Sequence, residues 1–150
     1  MKAEKIRIGN FVNLKNWQDE ISFFGEFDIS QNELDKLVKT GDGNAKVLSI
    51  TSEEVELLAY GCDLYYYSYA EILPIKITEK WLIDLGFNKF PGSGQLFDTD
   101  DFWAGRLIND GFFEISHLEL TLKYVHDLQN VFFALTGREL ELKNECSTCA

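Results

Sequence analysis

Apolar side chains in this chain arrive in short bursts of two-residue period, broken by turn residues, and that rhythm limits the fold more than any other feature. Val47, Leu48 and Ile50, then Val55, Leu57 and Leu58, flank the polar turn Thr51-Ser-Glu-Glu54, which is a hairpin pattern. Leu64 to Tyr69 predicts a further strand, and Leu96-Phe97, residues 102–108 and residues 112–115 predict three more. Asn109-Asp-Gly111 supplies a tight turn between the last two of these. Leu118, Leu120 and Leu122 then alternate with Glu119, Thr121 and Lys123, the mark of a strand wet on one face. Strands this short, joined by turns, pair antiparallel.

The remaining segments add helices. Ile6 and Ile8, then Phe11, Val12 and Leu14, surround Gly9-Asn10 and predict two extended pieces bent at a turn, and residues 20–27 (EISFFGEF) continue the extended signal. Ser30 and Glu33 have capping-box spacing and predict a short helix over 31–39, after which Gly41 to Asn44 form a loop. Thr78 is placed to cap a second short helix, Glu79 to Leu85, with Gly86 at its C′ position. From Tyr124 to Thr136, Val125, Leu128, Val131, Phe132 and Leu135 recur at helical spacing until Gly137, predicting a longer helix on the core. Arg138 to Leu142 alternates again and predicts a final strand. The fold class is therefore α+β, mainly antiparallel strands with two short helices and one longer C-terminal helix. At 150 residues one domain is expected, with a strand-rich part over 1–77, an α/β part over 78–143 and a flexible tail over 144–150. The Pro/Gly-rich stretch Lys89 to Gly94 is the candidate boundary between halves.

Charge narrows the partners. The formal net charge is -11, with eight acids against seven bases in residues 1–50, nine against three in 51–100, and eight against four in 101–150. A phosphate-tracking surface needs the opposite sign, so no direct binding to duplex nucleic acid is expected. Such a surface serves solubility, or it presents carboxylates to a basic partner. No apolar run approaches the roughly 20 residues of a membrane-spanning helix. The opening MKAEKIRIGN lacks the apolar stretch of a signal peptide, and Cys62, Cys146 and Cys149 make an odd count, so a cytoplasmic protein with reduced thiols is expected. Cys146 and Cys149 have C-x-x-C spacing without a second such pair, and they are read as part of a terminal tail, not a zinc site.

No catalytic constellation stands out: G-x-S-x-G, H-E-x-x-H and a glycine-rich loop opening a helix are all missing from the sequence. Gly92-Ser-Gly94 precedes a strand, which weakens its reading as a phosphate cradle, and Asp98, Asp100 and Asp101 lack the partners of a cation loop. The polar cluster with most content is on the long helix. His126, Gln129 and Asn130 stand at i, i+3 and i+4 and are predicted to share a face away from Val125, Leu128 and Phe132. With Arg138 they form the candidate ligand-binding set, and Asp127 or Glu139 is the neighbouring carboxylate a general base would need. No catalytic residue, metal ligand or cofactor is assigned. Tyrosines at 65, 66, 67 and 69 cannot all face one core on a strand, so at least one tyrosine edge is expected in solvent, where it offers a ring platform.

Three blocks carry a likeness. The opening Lys2 to Val12 (KAEKIRIGNFV), the middle Ile72 to Leu82 (ILPIKITEKWL) with Gly86-Phe87, and the ending Tyr124 to Leu140 (YVHDLQNVFFALTGREL) resemble a family of small uncharacterised Bacteroidetes proteins often found in prophage and mobile elements. The resemblance spans residues 2–140, although residues 13–64 follow no fixed pattern of that family. It implies a phage or mobile-element setting and no activity, cofactor or catalytic residue. The opening strands, the hairpin region and the exit at Pro74 are similar to a small SH3-like barrel. The resulting expectation is a non-enzymatic binding or accessory protein of unknown protein partner and open oligomeric state. The alternative is a small-ligand-binding protein or enzyme using the polar face of the last helix.

Overall fold

The structure, a computed structural model, describes residues 5–14, 44–59, 62–92, 94–99, 104–108, 111–115 and 118–143. The extended segment predicted over 20–27, the helix over 31–39, the turn residues Asn109 and Asp110, His117 and the tail from 144 onward lie outside them. The chain divides into two compact units that meet in sequence at Ile75 and Lys76. It is α+β, with one antiparallel five-stranded sheet in each unit.

In the first unit the strands are β1 (Phe11–Leu14), β2 (Asn44–Ile50), β3 (Glu54–Ala59), β4 (Cys62–Ser68) and β5 (Ile72–Leu73), in sheet order β4-β3-β2-β1-β5. Alternation decides which side of each strand is dry. Val12, Leu14, Ala45, Val47, Val55, Leu57, Tyr67 and Ile72 are buried together with Ile6 as one apolar cluster. The hairpin read around Thr51 is present: Thr51 N–H donates to the Glu54 carbonyl at 2.9 Å, and the Thr51 hydroxyl accepts from the Glu54 N–H at 3.0 Å. A register shift between Val47 and Ser49 breaks the strict alternation of β2 and leaves Leu48, Ser49 and Ile50 half-buried.

Ahead of β1 only the second of the two predicted extended pieces forms a strand. The residues before it are held by a turn instead. Asn10, fully buried, accepts the Arg7 N–H on its side-chain oxygen at 2.8 Å, and its backbone carbonyl accepts the Val47 N–H at 2.8 Å. Gly9, at φ 91°, donates to the Val47 carbonyl in the same turn. A buried amide that satisfies local backbone in this way competes with the ladder a strand would need.

In the second unit α1 (Glu79–Asp84) is capped by Thr78, whose hydroxyl accepts the Trp81 N–H at 3.3 Å, and it ends with Gly86 at φ 95°. The sheet runs β10-β9-β8-β7-β6, from β6 (Asn88–Lys89), β7 (Leu96–Asp98), β8 (Ala104–Ile108), β9 (Phe112–Ile115) and β10 (Leu120–Leu122). Phe97, Phe113, Ile115 and Leu122 are its large buried side chains, with Phe87 edge-on to Phe113 at 5.7 Å between ring centres. The stretch Lys89 to Gly94 is not a boundary. It links β6 to β7 as a hairpin, closed by the Phe90 N–H on the Leu96 carbonyl at 2.9 Å. Its glycines, Gly92 at φ 84° and Gly94 at φ 69°, serve the reversal of direction.

The long helix is α2 (Val125–Thr136), closed by Gly137 at φ 71° with its N–H on the Phe133 carbonyl at 2.8 Å. The strand predicted over 138–142 does not form. Leu140 is buried, the Lys143 N–H donates to the Asp84 carbonyl at 2.8 Å, and the segment crosses the end of α1 as irregular chain. Alternation of Leu140 and Leu142 therefore reports a strap with one side on the core, and a strap has the same two-residue period as a strand without its ladder.

Candidate functional site

The predicted ligand set begins on α2. Val125, Leu128 and Phe132 bury the helix, Asp127 lies in its first turn where the positive end of the helix dipole favours a carboxylate, and Gly137 ends it. The buried side is wider than the apolar stripe. His126 is 2% exposed and Gln129 0%, so both belong to the core side with Val125 and Leu128. At about 100° per residue Gln129 falls between Val125 and His126 around the helix axis, well inside the buried arc. Its side-chain N–H group reaches the Leu140 carbonyl at 3.4 Å, so the strap after α2 covers this flank.

That overturns the expected exposed polar face. His126 has its Nε2 3.3 Å from an Asp127 carboxylate oxygen, and its ring stacks on Tyr124 with centres 5.7 Å apart and planes 12° apart. Lys123 adds a cation above two rings, 5.4 Å from the centre of Tyr124 and 5.7 Å from that of Phe112. Asn130 is half-buried, while Arg138 and Glu139 are exposed beyond the helix end. The Arg138 N–H donates to the Thr136 hydroxyl at 3.1 Å, which anchors the backbone and leaves the guanidinium outside. The structure thus brings His126 to Tyr124 and Asp127, and Gln129 to Leu140. Of the predicted set, His126 and Gln129 are buried, Asn130 is half-buried and Arg138 is exposed.

Other chemistry considered from the sequence is similarly thin. Among the described residues no group of three or more His, Cys, Asp or Glu side chains could hold a metal ion. Asp98 sits half-buried on β7, while Asp100, Asp101, Cys146 and Cys149 lie outside the described residues. Among the described residues no helix is long and apolar enough to cross a membrane.

A second arrangement, not assembled by the sequence reading, lies on the first sheet. Ser49 on β2 stands opposite Glu56 on β3, and Glu56 stands opposite Tyr66 on β4. Direct opposition across three strands puts the three side chains in one row on the side away from Val55, Leu57 and Tyr67. The Ser49 hydroxyl donates to the Glu56 carboxylate at 3.0 Å and lies 3.5 Å from the Tyr66 hydroxyl, while the Tyr66 side is 51% exposed. The expectation of a tyrosine edge in solvent is met at Tyr66, and its neighbour Tyr67 is buried at 5%.

Around this row the turn is fixed. The Tyr69 hydroxyl donates to the Thr51 carbonyl at 2.6 Å, and the Glu71 carboxylate accepts the Ser68 N–H at 2.8 Å and its hydroxyl at 3.2 Å. Glu53, Glu54 and Glu71 are exposed. The face can therefore offer carboxylate acceptors beside an aromatic ring, which suits recognition of a cationic or N–H-rich surface more than bond-making chemistry. The signal for it in sequence was the tyrosine run together with the Thr51–Glu54 turn; what was missing was the register that sets Ser49, Glu56 and Tyr66 side by side. No family model matches the chain, and neither the curated proteins nor the solved structures compared with it gave a match.

Proposed function

We propose that this chain is a non-enzymatic binding module that engages another protein through the outer face of its first sheet. The observation that carries this reading is the row Ser49–Glu56–Tyr66, a half-exposed ring with a carboxylate and a hydroxyl held beside it. The net charge of -11 favours a partner with a basic surface and disfavours duplex nucleic acid. The likeness to Bacteroidetes prophage and mobile-element proteins supplies a setting, an accessory protein working in the cytoplasm on a host or self target.

Chain geometry supports the SH3-like reading of the first unit. β4 and β5 are at opposite edges of the five-stranded sheet, yet β4 ends at Ser68 and β5 starts at Ile72. In a flat sheet four strand spacings separate the edges by about 19 Å. The four residue steps from 68 to 72 span at most about 14 Å even when fully extended, and here they include a tight 3₁₀ turn. A connection that short favours a sheet curled in the barrel sense, although among the described residues no pairing between β4 and β5 closes it, and the convex face of such a curl carries the row.

The test is affinity capture from host lysate at low salt, with the retained protein identified and its binding then measured in purified form. Wild type and Asn130→Ala should retain it, Tyr66→Ala should lose it while keeping the circular dichroism of wild type. Retention that survives Tyr66→Ala and fails with Asn130→Ala or Arg138→Ala would move the function to α2. That alternative, a small-ligand-binding protein or enzyme, would use the part of α2 that carries His126, Gln129 and Asn130.

A further inference from the structure

We draw no further inference here: the strongest candidate, the exposed apolar side chain of Leu135 in the last turn of α2, is a single apolar residue, and nothing in the structure shows what covers it.

Discussion

Gly105 leaves room for the ring of Phe113: a Cβ at position 105 would stand 2.5 and 2.6 Å from the two Cε atoms of that ring and closer still to Cζ. Gly105 pairs with Phe97 on β7, and Phe113 pairs with Leu107 two residues further along β8, so the ring leans diagonally over the glycine. Phe113 is fully buried and meets Phe87 edge-on, so a shift of its ring disturbs the packing around it. Gly105→Ala is therefore expected to lower stability by about 1–3 kcal/mol through overpacking. Urea unfolding of Gly105→Ala, Phe113→Leu and the double variant checks it. The double variant should lose less than the two single losses combined, because the smaller side chain removes the clash; strict additivity would mean the ring is not the obstacle.

Buried and exposed positions of α2 separate in the same measurement. Phe132, 4% exposed, should cost about 3–5 kcal/mol on truncation to alanine. Leu135, 55% exposed, should change stability by no more than about 0.5 kcal/mol despite its place in the apolar pattern. His126→Ala and Gln129→Ala should each cost about 2–4 kcal/mol, since both leave space in the core and the second deprives the Leu140 carbonyl of its donor. Unchanged melting of both would return these residues to solvent and revive the ligand site.

Glu119 has φ 53°, the one non-glycine residue with positive φ among those described. That conformation costs an L-residue about 1–2 kcal/mol, while a glycine gives back about 0.5–1 kcal/mol as extra freedom of the unfolded chain. Glu119→Gly should consequently raise stability by about 0.5 kcal/mol, a rise in Tm of roughly 1–2 °C for a chain of this size. Glu119→Val should lower it. Calorimetry on the pair reads the difference in sign.

Thr78 holds the first turn of α1 through the bond its hydroxyl accepts from the Trp81 N–H. Thr78→Ala should cost about 1 kcal/mol and Thr78→Ser close to nothing, because only the oxygen is needed at the cap. Equal losses in denaturant titration would assign the effect to the methyl group.

On the first sheet, Tyr66→Ala should move stability by less than about 1 kcal/mol, since the ring is half-exposed and its hydroxyl contact with Ser49 is long. Binding to a basic partner should weaken steeply as salt is raised, and more gently after Glu53→Gln with Glu54→Gln, because screening acts on exposed charges. A salt-independent affinity would leave the carboxylates as solubilising groups only.

Wherever a local signal sufficed, residues and structure agree. The Thr51–Glu54 turn, the Thr78 cap with Gly86, and the Gly137 stop each depend on contacts within a few residues, and all three form where the sequence places them. The antiparallel α+β class followed from the two-residue period for the same reason. Tyr66 and Tyr67 took opposite sides because neighbouring residues on a strand must.

Tertiary structure decided the rest. Helical spacing marks which residues of α2 share a side, but the width of the buried side depends on what packs against it. Here Leu140 returns over Gln129, so two polar residues join the core and Leu135 at the helix end stays in water. The alternation of residues 138–142 could not distinguish a strand from a strap, since hydrogen-bond partners are chosen only when another segment arrives. Likewise no spacing along the chain brings Ser49, Glu56 and Tyr66 together. Their row exists because three strands settle into one register, and register is fixed by burying Val47, Val55, Leu57 and Tyr67 on the opposite side of the sheet.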